Sequence, residues 1–428
     1  MDLNARRDPA RSARVRAVDW NLRALCEEHV EELAILWRLR SRMVGSSEHR
    51  LVDLCRLDER LDAHADALAV MGESSAGPLA AGLASEDAAE MFASAYPILR
   101  GGIQSQLPAL CTALGTSTDP AGAVEGLRDA LVHAPGHSWV TVLEPHCRAP
   151  GRARAVACEV LAFRGMLEDA LALLPSTLAS LEDSMRTFGW RAVAHGLPVS
   201  VDDWMQGFDA PLPTLRSLAL QAAGWHGAPF LVDHLRRTAQ RSSPPDESAL
   251  LVFAWLAGGT DVELVADAAG RLPSHWQQVR VLSALGHPSV IPRLIETLSD
   301  TDPRAAAASA QAVTRVTGWD LDSGRTISLP PEDAPLGDEI AAAFDEVFVL
   351  PDPDRARALW RVSHRRFEAG VRWSRGIECS AGLAAAGLRE IDLESLKAFC
   401  LRARLRGKAS WSAARLEAFP QPRLELII

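Results

Sequence analysis

Lysine is almost missing from this sequence of 428 residues, in which Lys397 and Lys408 stand beside 43 arginines. With the abundant alanine, this ratio indicates a GC-rich genome rather than selection for guanidinium chemistry. No stretch approaches 18 uninterrupted apolar residues, and the arginine-rich start at residues 6–16 is not followed by an apolar segment with a cleavage site. We therefore expect no membrane span and no signal peptide. An apolar content of 48% excludes disorder for most of the chain.

Paired cysteines are a second absence. The seven cysteines are odd in number, scattered, and never in a C-x-x-C pattern. This usage is typical of a reducing compartment, so we predict a cytoplasmic protein. Apolar residues flank several of them, as they do Cys158, and we expect small buried hydrophobic side chains rather than metal ligands.

The motifs of the common enzyme classes are absent as well. The sequence has no G-x-x-x-x-G-K-[ST], no H-E-x-x-H, no G-x-S-x-G and no G-x-G-x-x-G. Phosphate-loop, zinc-protease, α/β-hydrolase and dinucleotide-binding sites therefore lack their usual geometry. The sequence predicts no catalytic residue and no cofactor.

One acidic cluster has the composition of a metal site. Four glutamates surround His29 in residues 27–32, and four acidic residues accompany His64 in residues 58–66. A helical di-metal site requires Glu-x-x-His, but Cys26 and Leu61 stand three residues before these histidines. We therefore predict a solvated acidic face and no metal site.

Charge is distributed unevenly along the chain. The net charge is −10, and it divides into −16 for residues 1–351 and +6 for residues 352–428. An acidic body argues against a general nucleic-acid binder, because phosphate recognition needs a basic footprint. The basic end either binds the protein's own acidic part or meets an acidic partner protein, and we favour the intramolecular alternative.

A repeated tripeptide punctuates the middle of the chain. It consists of Gly, any residue, then Pro or Asp, with glycine spacings of 31, 32, 27 and 32 residues. Weaker copies precede it at Gly136 and Gly165, between helical runs at 120–132, 139–148, 152–163 and 167–174. The five clear copies begin at Gly196, Gly227, Gly259, Gly286 and Gly318.

The tripeptide predicts a helical hairpin. Glycine after the last helical residue adopts the left-handed conformation, and Pro or Asp two residues later suits the start of the next helix. The clearest unit is 279–298, where apolar residues recur at helical spacing on both sides of Gly286. We count five or six hairpins between about residues 86 and 320.

These residues carry a resemblance. The run 279–298 resembles the short HEAT-like repeat of the phycobilisome-lyase type. Three further features are similar to an uncharacterised bacterial family that is often encoded near type VI secretion genes: the helical segment at 28–68, the Val-Thr-Gly-Trp-Asp-Leu sequence at 316–321, and the Leu-Pro-Asp-Pro sequence at 350–353. The resemblance implies an accessory or adaptor role and transfers no catalytic residue.

The predicted fold is all-α, an α-solenoid of HEAT-like helical hairpins. Helices at 20–45 and 49–71 form a cap for the first repeat, and helical runs are expected at 353–367, 381–388 and 393–405. The apolar end 424–428 is expected to dock on its own domain. The predicted organisation is a disordered tail at 1–18, a helical cap at 19–85, the repeat array at 86–320, a linker at 321–352 and a basic C-terminal helical domain at 353–428.

Tryptophan and histidine supply the candidate contact residues. Repeated tryptophans in such an array fill the core between hairpins, but an exposed one is a first candidate for contact with a partner. His195, His226 and His287 lie beside repeat glycines, where they either complement helix C-termini or form a strip of ligands. The candidate partner-binding residues are Trp190, Trp225, Trp255, Trp276 and Trp319.

An open array with no convergent polar groups favours binding over catalysis. We therefore expect a scaffold for protein–protein interaction, acting as an adaptor, chaperone or immunity-like factor associated with a secretion system. The partner would be a protein rather than a nucleic acid. The alternative is an enzyme built on the same array, either lyase-like or a nucleic-acid glycosylase, and the glycosylase requires a basic concave surface with a central carboxylate.

Overall fold

The computed structural model describes residues 9–116, 122–148, 151–175, 177–241, 244–329, 346–367, 370–379, 385–407 and 412–421. Helices dominate these ranges, and the strands among them form two short antiparallel pairs, so the predicted all-α class is confirmed. The chain divides into two compact units. Unit 1 comprises Met1–Val44, Asp53–Gln206 and Ser412–Arg423, and unit 2 comprises Gly45–Val52, Gly207–Trp411 and Leu424–Ile428.

Most helices up to residue 208 belong to unit 1, although α2 and α11 cross its boundaries. Short 3-10 turns lie at Gly72–Ser75, Gln104–Gln106 and Leu178–Ser180. The helices are α1 (Pro9–Met43), α2 (Leu51–Met71), α3 (Ala76–Gly82), α4 (Ala88–Gly101), α5 (Leu107–Thr116), α6 (Ala123–His133), α7 (Ser138–Cys147), α8 (Arg152–Phe163), α9 (Leu167–Leu173), α10 (Asp183–Ala194) and α11 (Val201–Phe208).

Unit 2 continues the succession of helices, with 3-10 turns at Pro288–Val290 and His364–Arg366. Its helices are α12 (Pro213–His226), α13 (Leu231–Arg241), α14 (Glu247–Leu256), α15 (Asp261–Ala269), α16 (His275–Leu285), α17 (Ile291–Thr297), α18 (Pro303–Thr317), α19 (Pro353–Ser363), α20 (Ala385–Glu390) and α21 (Leu393–Leu405). A last short helix, α22 (Ala413–Glu417), lies in unit 1.

The repeat glycines adopt the backbone that their positions predict. All seven, from Gly136 to Gly318, have positive φ, between +57° and +122°. Gly227, Gly286 and Gly318 are left-handed C-caps of α12, α16 and α18. The left-handed glycines predicted from the tripeptide are therefore confirmed, although the copy at Gly318 leads into the strand Asp322–Leu329 and not into a second helix.

Alternate helices pack against each other within each unit. In unit 1, α4 packs on α6, α6 on α8, and α8 on α10. In unit 2, the same order runs through α12, α14, α16 and α18, while α13, α15 and α17 pack on their neighbours. The approach of α6 to α4 is close, since a Cβ on Gly126 would lie 1.9 Å from the carbonyl oxygen of Ala88.

The N-terminal pair of helices agrees with its predicted pattern in most positions. Apolar side chains that recur at helical spacing are buried at Leu33, Leu36 and Trp37 on α1 and at Leu54 and Leu61 on α2. Helix α1 begins at Pro9, inside the segment 1–18 predicted as a disordered tail, and residues 1–8 lie outside the described residues.

The segment predicted as a linker contains strands. β1 (Asp322–Leu329) pairs with β2 (Glu346–Pro351), and farther on β3 (Trp373–Ser374) pairs with β4 (Ile377–Glu378). The alternation of β-branched and larger apolar residues in 347–350 has the period of a strand, which agrees with the position of β2. Residues 340–345 and the apolar end 424–428 lie outside the described residues.

The basic C-terminal segment packs on the repeats of unit 2. Arg372 donates to the carbonyl oxygens of Ala254 and Ala257, each at 2.5 Å, and to that of Leu285. Arg402 and Arg404, on α21, donate to the carbonyl oxygens of Trp255 and Trp225 at 2.8 and 2.9 Å. These arginines meet the negative ends of helices α12, α14 and α16, so the contacts are intramolecular as favoured, with backbone carbonyls as acceptors.

Candidate peptide-binding face

The five tryptophans singled out from the sequence do not share one environment. Trp190, Trp225 and Trp255 are buried, at 2%, 6% and 8% exposure. Trp319 is half-buried against the rings of Trp360 and Phe367. Trp276 is 57% exposed. Exposure was the condition for contact with a partner, and among these five only Trp276 meets it clearly.

The buried tryptophans have intramolecular partners. The ring of Trp190 packs against that of Trp204, with centroids 5.3 Å apart. The indole nitrogen of Trp255 donates to Glu394 Oε1 at 2.7 Å, and Lys397 Nζ lies 4.9 Å from the same ring. These contacts give the tryptophans the structural role that repeated aromatic residues most often have in stacked hairpins.

The histidines beside the repeat glycines also differ from one another. His287 lies at hydrogen-bond distance from the backbone nitrogens of Ser289 and Gly370, at 3.2 and 3.1 Å, and so stabilises the turn after α16. His195 follows α10 with its side chain 1% exposed, and neither ring nitrogen has a hydrogen-bond partner among the described residues. His226 ends α12. His287 therefore has a structural role, and His195 has an unmet hydrogen-bonding capacity.

His195 lies beside a segment that crosses unit 1 far from its place in the sequence. We call residues 412–421 the strap. Its aromatic anchor is Phe419, which is 4% exposed. The ring lies 5.3 Å from that of Tyr96, 5.5 Å from that of Trp37 and 6.1 Å from that of His133, measured between centroids. Helices α1, α4 and α6 thus provide an aromatic enclosure for one side chain of the strap.

Side chains of unit 1 also hold the backbone of the strap. Arg40 Nη2 donates to the carbonyl oxygens of Glu417 and Ala418 at 3.3 and 2.6 Å. The backbone nitrogen of Gln421 donates to Asp58 Oδ2 at 2.8 Å, and that of Phe419 lies 3.3 Å from His133 Nδ1. Contacts of this kind recognise a peptide backbone whatever its side chains, so we call the surface that contacts the strap the peptide-binding face.

Arg40 and Asp58 are themselves buried, at 3% and 2% exposure, and their Nε and Oδ1 atoms are 2.8 Å apart. Burial raises the pKa of Asp58, and the Arg40 guanidinium acts against that rise. Arg40 offers donors to the strap and Asp58 offers an acceptor, while the two side chains also form an ion pair with each other. The pair therefore forms a fixed polar clamp in an apolar surrounding.

A charged cluster continues from the peptide-binding face along α6, α8 and α10. Arg128 donates to Glu159 and to Asp129, and Arg191 donates to Glu125 at 2.5 Å. Glu159 is fully buried, and burial raises its pKa to about 7 although Arg128 opposes the rise. Arg128 Nε and Glu159 Oε2 have no hydrogen-bond partner.

This cluster has the composition that a glycosylase would use, a carboxylate among arginines. Its carboxylate Glu159 is at 0% exposure, however, so a nucleobase has no access to it in this conformation. Burial also lowers the pKa of His195 to about 4, which makes its imidazole neutral at physiological pH.

The acidic cluster of α1 and α2 contains one close contact. The Nδ1 atoms of His29 and His64 are 3.0 Å apart, and their rings meet edge to face. Within the described ranges, no group of three or more His, Cys, Asp or Glu residues is arranged to hold a metal ion.

An apolar concavity of about 420 Å³ lies between α7 and α9. Trp139, Leu143 and Met166 line it, and Glu144 and Asp169 stand among its lining residues. None of these residues touches the strap through a hydrogen bond or ring contact described above. The concavity is therefore separate from the peptide-binding face.

Sequence reasoning missed the residues that form the peptide-binding face. Asp58 belongs to the acidic cluster that was predicted to be a solvated face, but Asp58 and Arg40 are buried and contact a segment about 360 residues later in the chain. Phe419 stood in an irregular stretch with no periodic pattern. The one signal available was that Phe419 is the single aromatic residue in residues 412–421.

No protein-family model matches this chain, and a search of the curated proteins found no match. Among the described residues, no helix is both long enough and apolar enough to cross a membrane.

Proposed function

We propose that the protein is a cytoplasmic scaffold for protein–protein interaction, built as an α-solenoid of HEAT-like hairpins, and that it binds a segment of its partner on the peptide-binding face. The positive φ of the repeat glycines and the packing of alternate helices within each unit support the solenoid. Each hairpin contacts its neighbours, which is the arrangement that gives such arrays extended surfaces for recognition.

The observation that carries the proposal is the way in which the strap is held. Side chains of Arg40 and Asp58 bind its backbone, and an enclosure formed by Trp37, Tyr96 and His133 accepts Phe419. A buried aromatic anchor combined with backbone hydrogen bonds is how protein domains bind extended segments of their partners. Unit 1 therefore has the features of a peptide-binding domain, and its peptide-binding face is occupied by the strap of its own chain.

A narrower form of the proposal is an adaptor, chaperone or immunity-like factor associated with a type VI secretion system. It is supported by the resemblance of residues 279–298, 316–321 and 350–353 to repeats and segments of that bacterial family. The exposed Trp276 supports a second point of contact with the partner.

Affinity purification of the tagged full-length protein from its native host, followed by mass spectrometry, tests the proposal. Three variants accompany the wild type: Phe419→Ala, which vacates the aromatic enclosure; Trp276→Ala; and Val70→Ala, a control at a side chain with 86% exposure. We expect to recover one stoichiometric protein partner, which a synthetic peptide of residues 412–421 should elute. The Phe419→Ala protein should retain more of this partner than the wild type does, and the Val70→Ala protein should retain the same amount.

Two results would contradict it. Recovery of nucleic acid in place of protein would favour the glycosylase alternative. Recovery of a partner that the peptide does not elute, and that Trp276→Ala loses, would place the interaction elsewhere on the protein.

A further inference from the structure

The strap leaves polar groups beneath it without partners. His195 lies at the end of α10 with its side chain 1% exposed, and in the part of the chain that the structure describes both ring nitrogens are unpartnered. The nearest acidic atom is Glu417 Oε2 of the strap, 4.0 Å from His195 Nε2. This separation is beyond a hydrogen bond, and the Glu417 side chain is 44% exposed.

An unpartnered buried donor is costly, because the group has lost water and gained nothing in return. Most buried polar groups in proteins are paired, so each exception calls for an explanation. Here the structure offers an explanation, since the distance of 4.0 Å between His195 Nε2 and the Glu417 carboxylate is about one ångström longer than a hydrogen bond. The strap therefore resembles an imperfect ligand, which fills the aromatic enclosure and satisfies the clamp but not the imidazole.

We propose that the peptide-binding face recognises a partner segment with an acidic residue two positions before an aromatic residue, and that the strap, with Glu417 and Phe419 at this spacing, is an internal competitor for it. The inference rests on the proposed function and names the partner's chemistry. The aromatic side chain of the partner takes the place of Phe419 against the rings of Trp37, Tyr96 and His133. Its carboxylate accepts the N–H of the neutral His195 imidazole.

The geometry also explains why a partner can displace the strap. The strap is restrained by its covalent connection to the rest of the chain, whereas a separate segment is free to shift its backbone toward His195. Completing one hydrogen bond to a carboxylate is enough to change an affinity by about tenfold. The aromatic anchor contributes more, because burial of a Phe side chain in a closed pocket is a typical hot spot.

The test uses the full-length Phe419→Ala protein and fluorescein-labelled peptides with the sequence of residues 412–421, measured by fluorescence anisotropy. We expect the variant to bind this peptide at least about tenfold more tightly than the wild type does, because the competing strap has lost its anchor. A peptide with alanine in place of Phe419 should lose binding. A peptide with alanine in place of Glu417 should bind several-fold more weakly, roughly as one hydrogen bond predicts.

A second protein, Phe419→Ala combined with His195→Leu, isolates the imidazole. This protein should bind the 412–421 peptide and the peptide with alanine in place of Glu417 with equal affinity. Hydrogen exchange of the wild type gives a readout that does not depend on any variant: excess peptide should accelerate exchange at the backbone N–H groups of Phe419 and Gln421. Trp276→Ala in the Phe419→Ala background is the matched control and should change none of these affinities.

The outcomes separate the two proposals. Equal affinity of the Phe419→Ala protein for the peptides with and without the Glu417 carboxylate would overturn recognition of the acidic residue and leave peptide binding intact. No binding of any peptide by a Phe419→Ala protein that keeps its helical circular dichroism, together with unchanged exchange in the wild type, would overturn both. Exchange of straps between two copies would appear as a dimer that the Phe419→Ala substitution abolishes, and it would make the second copy the partner.

Discussion

Arg40 and Asp58 form a buried ion pair in which each member also holds the strap. Arg40 donates to two strap carbonyls, and Asp58 accepts from the backbone nitrogen of Gln421. The pair joins α1, α2 and the C-terminal end of the described chain at one point. Its loss therefore affects both the stability of unit 1 and the attachment of the strap.

Single substitutions of this pair should be severe. Arg40→Gln or Asp58→Asn leaves an uncompensated buried charge, and we expect each to lower the free energy of unfolding by about 3–5 kcal/mol. The double substitution Arg40→Met with Asp58→Leu should cost less than the sum of the two. Urea unfolding measures these values, with Arg38→Gln as the control, because Arg38 pairs with Asp87 at an exposed position worth about 1 kcal/mol or less. Additive losses would contradict direct coupling.

Glu159 should make the protein less stable as the pH rises toward neutrality. Burial raises its pKa from 4.5 to about 7, so between these values the native state keeps a proton that the unfolded state has lost. The stability from this group is present below pH 4.5 and is lost as the pH rises through 7. The advantage of Glu159→Gln over the wild type should therefore grow across that window, by on the order of 3 kcal/mol. A constant difference in urea midpoint from pH 4.5 to 7.5 would show that Glu159 is ionised throughout.

His195 should act in the opposite direction. Burial lowers its pKa from 6.5 to about 4, so the unfolded state binds a proton that the native state does not. The stability from this group is present above pH 6.5 and is lost as the pH falls through 4. His195→Leu should remove this acid sensitivity and be close to neutral for stability at pH 7, because it removes a buried group without partners. Thermal unfolding of both proteins at pH 4.5 and pH 7 tests the sign, and a larger loss in the variant at low pH would contradict it.

Arg372 should be the critical arginine of the C-terminal segment. It donates to three carbonyl oxygens at the ends of α14 and α16, and burial lowers its pKa. Arg372→Gln should lower the free energy of unfolding by about 2–5 kcal/mol, because three buried carbonyls lose a charged donor. Arg357→Gln removes an exposed pair with Asp354 and should be within about 0.5 kcal/mol of the wild type. Comparable urea midpoints for the two variants would be the contrary result.

The tryptophans should separate into structural and surface classes. Trp190→Ala should cost about 3–5 kcal/mol, as expected for a large side chain removed from a core. Trp276→Ala should change stability by about 0.5 kcal/mol or less, because the side chain is 57% exposed. Differential scanning calorimetry of both variants decides this. A marked loss for Trp276→Ala would show that the indole packs against the fold despite its exposure.

Local patterns allowed much of the fold to be predicted. The helices at 138–147, 152–163 and 167–173 lie within one or two residues of the predicted runs, because apolar periodicity and glycine punctuation are encoded in the segment itself. The left-handed glycines were predictable for the same reason. The strands at 322–329 and 346–351 were not, because a short alternating run is weaker than the helical signal around it.

The peptide-binding face could not be predicted in this way. Arg40 and Asp58 belong to helices whose charged faces are mostly exposed, and only the arrival of residues 412–421 removes this pair from water. A single sequence contains no periodicity that links positions almost 380 residues apart. The five candidate tryptophans were chosen by repetition, and repetition in stacked hairpins selects first for the core, as the burial of Trp190, Trp225 and Trp255 shows.

The contact between Gly126 and Ala88 has a consequence for how this protein can vary. Because the backbones of α4 and α6 meet where a Cβ would overlap a carbonyl oxygen, position 126 admits glycine alone unless the two helices separate. The same two helices carry Tyr96 and His133, which enclose Phe419 of the strap. The dimensions of the aromatic enclosure are thus set by a residue without a side chain, about two turns away from it along α6.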